Sequence, residues 1–284
     1  KRLDYIEALG VTALWISPVV RNVEADAGFG SYHGYWTQDF TRVNPHFGDL
    51  AQLQNLVRAC HRRGIKVILD VVTNHVGQLF YYDINRNGQP DTVFFGGGGP
   101  GQGSQTEAEG NQGSELRRVS EWDPEFDHRG VQGFTSLGEN GDAPIIFVED
   151  AANNRTPPNP SQFRNPDWYN RRGRVTVWEN ECLCFIENDG SCDGLYNPWK
   201  NDATMGCWER HREQEIRGDF PGGLKDLDTR RQDVRDALVE VFKRWIRVAD
   251  FDGFRIDTLK HQEPAFFDYF VPRIRAYAKS LGKD

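Results

Sequence analysis

The chain is 284 residues long, enough for one large domain or two ordinary ones. Its net charge of -8 points away from a nucleic-acid partner. No apolar run approaches the ~18 residues of a membrane-spanning helix. Aromatic residues make up 12%, which suits a large core and equally suits stacking on the apolar faces of sugar rings.

Residues 2–10, RLDYIEALG, read as the tail of a helix, with Leu3, Ile6 and Leu9 on one face and Gly10 as its stop. With no initiator Met and no signal segment ahead of it, the true start is expected upstream. Residues 11–20, VTALWISPVV, read as a buried strand closed by Ser17-Pro18. A loop rich in Gly, Tyr and His follows. Residues 48–64 read as a helix capped by Asp49, with Leu50, Leu53, Leu56 and Val57 on one face and Gly64 at its end. The next run, IKVILDVVTNH, is a second buried strand ending in polar groups.

Residues 77–224 lose this rhythm. Glycines cluster at 96–99, prolines recur, and strands such as PIIFVED and RVTVWEN are short. A structureless loop of that length is not expected in a compact domain, so the segment reads as an inserted domain. Order returns at Asp228, where Val234, Leu238, Val241, Trp245 and Val248 recur at helical spacing. The strand FDGFRID follows. A last helix carries Phe267, Phe270, Ile274 and Ala278 on one side and an internal Pro272, where a kink is expected. The pattern is α/β, with three strands apolar on both faces and a parallel sheet covered by helices. A doubly wound sheet and a partial barrel both fit. No G-x-G-x-x-G follows a strand, which counts against a dinucleotide fold.

Residues i and i+2 of a strand share a face, so Arg255 and Asp257 point the same way at the carboxyl end of their strand. Asp70, Asn74 and adjoining His75 lie in the corresponding region of the strand before. In parallel α/β folds, sites form at that end. The guanidinium should keep Asp257 ionised, which suits a nucleophile and equally a structural ion pair. The loop DINRNGQPD offers oxygens at Asp83, Asn85, Asn87 and Asp91 around a turn at Gly88, as a calcium loop would, without the usual twelfth-position Glu. A plain hydrophilic turn is the other reading. Cys60 lies on the apolar side of its helix and reads as a buried thiol. Cys182, Cys184, Cys192 and Cys207 cluster in the insertion, where disulfides are favoured over free thiols and over zinc, for which paired C-x-x-C spacing is lacking. Disulfides would imply export.

Several motifs in order resemble the α-amylase family of glycoside hydrolases: GVTALWISPVV, YHGYWTQDFTRVNPHFGDL, DVVTNH, GGLKDLD and GFRIDTLKH. In GGLKDLD, Lys225 stands where a Pro or another residue is often found. The resemblance implies a partial (β/α)8 TIM barrel with an irregular, β-rich domain B inserted after the third strand. The barrel would occupy residues 1–76 and 225–284, and domain B residues 77–224. It further implies that Asp257 is the nucleophile and Arg255 orients it. Tyr35 and His75 would contact the sugar at the cleavage subsite, Tyr35 by stacking. Lys260 and His261 would lie on the leaving-group side, and Asp70 would support the site.

Two carboxyls roughly 5–5.5 Å apart would give a covalent intermediate and retained stereochemistry. The resemblance puts the general acid on a fifth strand and a third acid after a seventh. Neither is expected in this chain, so the chain alone is expected to be inactive, and Glu263 is not promoted to the role. The family's Ca²⁺ would use Asn74 and the His261 carbonyl, with Asp189, Asp193 and Asp219 as candidate partners. The implied activity is hydrolysis of α-glucosidic bonds in starch-like glucans or malto-oligosaccharides, by a secreted or cell-envelope enzyme. A transglycosylase of the same clan and a non-catalytic relative are the alternatives.

Overall fold

A computed structural model describes residues 2–26, 29–83, 86, 88, 93–95, 105–107, 137–138, 141–171, 175, 212, 215–220 and 224–283. Its main elements in chain order are α1 (Leu3–Ala8), β1 (Ala13–Ile16), β2 (Val20–Asn22), β3 (Thr37–Val43), α2 (Leu50–His61) and β4 (Lys66–Val72). They continue with β5 (His75–Val76), β6 (Phe80–Tyr82), β7 (Ile145–Phe147), β8 (Lys225–Asp226), α3 (Gln232–Ala249), β9 (Gly253–Asp257) and α4 (Pro264–Ser280).

The expected three-stranded parallel sheet is present, in the order β1–β4–β9. Its register sets Trp15 against Ile68, Arg255 against Asp70 and Asp257 against Val72. The strands were expected to be apolar on both faces, and they are not. Val67, Leu69 and Val71 face the helices and are buried. Trp15, Asp70, Arg255 and Asp257 share the other face, where Trp15 is 60% exposed. Polar groups gather there because the alternating side chains of all three strands are held in one register.

Helix α2 begins as the sequence suggests. The Asp49 carboxylate accepts from the Gln52 N–H at 2.8 Å, and the Gln52 side chain accepts from the Asp49 N–H at 3.0 Å. Leu53, Val57 and Cys60 are its buried residues, and Cys60 is a free thiol. Helix α3 starts at Gln232 rather than Asp228. The Asp228 carboxylate accepts from the Arg230 N–H at 3.1 Å and holds those residues in a turn ahead of the helix. Trp245 is α3's largest core residue, and its indole N–H donates to the Phe40 carbonyl at 2.7 Å. Helix α4 has Pro264 in its first turn and runs through Pro272, with Phe266, Phe270 and Ile274 buried. Phe266, rather than the expected Phe267, joins that buried row.

Two strand boundaries differ from expectation. Strand β4 ends at Val72, and His75–Val76 instead pairs antiparallel with Lys225–Asp226. The chain is drawn off the sheet at Thr73, whose hydroxyl donates to the Gln262 side-chain oxygen at 2.6 Å. Val20 belongs to β2, which pairs antiparallel with β3 inside the stretch expected to be loop. Downstream, β7 pairs antiparallel with β6, and isolated bridges join Asp39 to Asn159 and Tyr169 to Leu227. RVTVWEN lies outside the described residues apart from Val175, as do Cys182, Cys184, Cys192 and Cys207.

Candidate active site

Asp70 is the hub of the open sheet face. It is 1% exposed and accepts from the Trp15 indole N–H at 3.1 Å, the Tyr35 hydroxyl at 3.0 Å and Arg255 Nη1 at 3.1 Å to both oxygens. The same Nη1 donates to Asp257 Oδ1, so one guanidinium nitrogen bridges the two carboxylates. Its carbon sits 5.1 Å from the Trp15 ring centroid. Burial works against the Arg255 charge, but hydrogen bonds to Asp257 and Asp70 outweigh it and raise its pKa. Burial, then the Asp70 bond, pushes the Tyr35 hydroxyl up to about 12, so it stays a donor.

Tyr35 arrives on a tight loop. Gly34 has φ 88°, and a Cβ there would lie 2.4 Å from the Pro18 carbonyl oxygen, so only glycine fits. The Tyr35 ring stacks on His33, with centroids 5.7 Å apart. His33 was not singled out from the sequence, although it sits two residues from Tyr35.

A second group lies behind Tyr35. His75 is buried, and its Nε2 lies 3.2 Å from the Tyr35 carbonyl. Burial pushes this imidazole down to about 4, so it is neutral at ordinary pH. With Nε2–H donating to that carbonyl, Nδ1 accepts from the Asn74 amide at 3.3 Å. The imidazole stacks on Phe220 at 5.7 Å, and His261 packs edge-on to the Phe220 ring at 4.9 Å.

Beyond Asp257 the chain turns sharply at Thr258, with φ 54°, into a short turn over Leu259–His261. That turn brings Lys260 and His261 onto one residue. Lys260 Nζ pairs with Glu215 Oε1 at 2.7 Å, and His261 Nδ1 lies 2.7 Å from the Glu215 carbonyl oxygen. Glu215 and Phe220 escaped sequence reasoning because nothing local marks them in an irregular segment. Glu263 is committed elsewhere: it accepts from the Thr229 hydroxyl at 2.6 Å, and Arg217 and Arg230 lie within ion-pair reach.

The calcium expectation divides. Asn74 Oδ1 is buried with no hydrogen-bond partner, which suits a cation, because the amide's other end is spent on His75. Asp83 is buried and accepts from the Gly88 N–H at 2.9 Å, closing its turn. Asn85, Asn87 and Asp91 lie outside the described residues, as do Asp189 and Asp193. Asp219 does not fit. Its Oδ2 takes the Lys225 ammonium at 3.0 Å and the Tyr82 hydroxyl at 3.2 Å, and its Oδ1 takes the Asp226 N–H at 3.1 Å. Among the described residues no group of three or more His, Cys, Asp or Glu could hold a metal ion.

The family model for the alpha-amylase catalytic domain matches residues 1–127 and 146–272. The chain belongs to the alpha-amylase family. Its three-stranded sheet is accordingly part of the (β/α)8 barrel of that catalytic domain. An alpha-amylase of Streptomyces lividans is 29% identical over 300 residues, covering 100% of this chain and 26% of that protein. An uncharacterized glycosyl hydrolase of Schizosaccharomyces pombe is 49% identical over 280 residues, covering 98% of the chain and 37% of that protein. The cyclomaltodextrin glucanotransferase CldA aligns with TM-score 0.53 and 22% identity over 98% of the chain and 39% of its own, a likeness of fold. This alpha-amylase-family chain thus spans 26% and 37% of those two relatives' lengths.

Proposed function

We propose that the protein is a retaining glycoside hydrolase acting on α-glucosidic bonds of starch-like glucans or malto-oligosaccharides. The observation that carries this reading is the single Arg255 nitrogen shared by Asp70 and Asp257 on the open face of the sheet. In this reading an Asp257 oxygen attacks the anomeric carbon. A carbon–oxygen bond forms to Asp257, the glycosidic bond breaks, and the departing oxygen takes a proton from a second carboxylic acid. Arg255 orients Asp257, Asp70 anchors Arg255, and Tyr35 stacks on the sugar. Neutral His75 backs Tyr35 from behind, and the Lys260–His261 turn follows Asp257 on the leaving-group side. Water then cleaves the ester with a second inversion, restoring the starting configuration.

Residues 77–224 are proposed as domain B, supported by the β6–β7 pairing. Calcium is proposed at Asn74 with the His261 carbonyl, and in the Asp83–Asp91 loop. Support comes from the unpartnered Asn74 oxygen and the closed turn at Gly88. Ca²⁺ bound there would supply structural rigidity beside the site. Export is proposed from the clustered cysteines. No described helix is long and apolar enough to cross a membrane.

The test is Asp257→Asn in the whole enzyme, assayed on a chromogenic maltoside. Turnover should fall on the order of 10⁴-fold with substrate still bound. A 2-deoxy-2-fluoroglucosyl fluoride should leave one sugar covalently attached to Asp257, read by peptide mass. Near-normal turnover, or a label on another residue, overturns the proposal.

A further inference from the structure

We propose that Lys225, and not calcium, supplies the positive charge at Asp219, one of the three carboxylates that were candidate calcium partners, so that the junction there is held by an internal ammonium ion. Lys225 is 0% exposed and Asp219 is 1% exposed. Their 3.0 Å contact is therefore sheltered from solvent. The ammonium also lies 4.7 Å from the Tyr82 ring centroid and 5.1 Å from that of Phe80, two faces that favour a cation.

An ionised carboxylate offers about four lone-pair sites. Three of these sites on Asp219 are already taken, by the Lys225 ammonium, the Tyr82 hydroxyl and the Asp226 N–H. A calcium ion needs oxygens at roughly 2.3–2.6 Å, and at this carboxylate it would be forced against the ammonium, which repels it. Lys225 and a divalent ion are thus competitors for one carboxylate, and the buried lysine holds it.

The placement gives the pair a mechanical role. Lys225 is on β8, which is paired with β5 next to the active-site histidine. Tyr82 ends β6, on which β7 is paired. The Asp219 carbonyl accepts from the Val175 N–H at 3.0 Å. One ion pair therefore joins the barrel side of the junction to the segment proposed as domain B. None of this depends on the activity proposed above.

The experiment compares thermal midpoints of wild type, Asp219→Asn and Lys225→Met, each in calcium and in EGTA. Lys225→Met strands a buried carboxylate, so in EGTA its midpoint should fall by roughly 5–10 °C. Asp219→Asn should fall too, and the difference between its calcium and EGTA midpoints should equal that of wild type. A wild-type calcium difference that vanishes in Asp219→Asn would make Asp219 a metal ligand and overturn the proposal. So would a Lys225→Met midpoint within about 1 °C of wild type. Should either single variant fail to fold, the double variant Asp219→Asn/Lys225→Met decides. With neither charge left alone it should fold and melt above both singles. A double variant no more stable than the singles also refutes the pairing.

Discussion

Replacing Asp70 with Asn keeps the side chain's shape and removes its charge. The two carboxylate oxygens face donors on both sides: Arg255 Nη1 reaches both, while Trp15 and Tyr35 reach Oδ2. An amide has one acceptor oxygen and one donor nitrogen. With its oxygen at the Oδ2 position, the new NH₂ opposes the guanidinium. With the amide flipped, the NH₂ opposes the Trp15 indole N–H, and only the Tyr35 hydroxyl can rotate to accept. Either way one donor–donor clash remains at a site that is 1% exposed. An unmet buried group costs about 1–3 kcal/mol, and loss of the charge partner adds to it. Because the Arg255 side chain is 40% exposed, water screens that second part. The expected loss is about 2–3 kcal/mol, measured by urea unfolding at neutral pH with an unchanged slope. Turnover should fall as well, since Arg255 would lose its anchor. A change below about 0.5 kcal/mol would show that Asp70 does not organise this face.

Arg255→Lys should reduce kcat on the order of 10²-fold, because an ammonium cannot bridge two carboxylates and lie on the Trp15 ring. Steady-state kinetics near wild type would refute the bridging role. His75 titrates near 4 when folded against an ordinary value of 6.5, since burial disfavours its charge while Asp257 and the Tyr35 carbonyl only partly offset this. The unfolded chain therefore takes up the proton first. The stabilisation is complete above about 6.5 and falls by about 3 kcal/mol as pH drops to about 4. Unfolding of a His75→Asn variant should lack that part of the acid slope, and an identical slope would count against it. Trp245→Phe should cost about 2–3 kcal/mol, through the lost volume and the Phe40 carbonyl it leaves without its donor. A denaturation midpoint equal to wild type would refute that packing argument.

Local order was legible in the sequence. Strand alternation put Arg255 and Asp257 on one face, helical spacing marked α2, α3 and α4, and Asp49 announced its own cap. The ordered motifs pointed to the family. These signals are written by covalent geometry and near neighbours, so a short window carries them. What the tertiary structure decided is which distant groups meet. Arg255 reaches Asp70 across 185 positions because parallel pairing sets them in register. Strand β4 stops at Val72 because Gln262, 189 positions away, draws Thr73 off the sheet. Glu215 joins the site through the turn at Thr258, and Phe220 through both His75 and His261. In the sequence, Lys225 stands out only as the residue in GGLKDLD at a position where a Pro or another residue is often found. It becomes a buried counterion because β5, β6 and β8 close around Asp219. The charge a carboxylate will accept is set by what the fold packs against it, and no local window contains that.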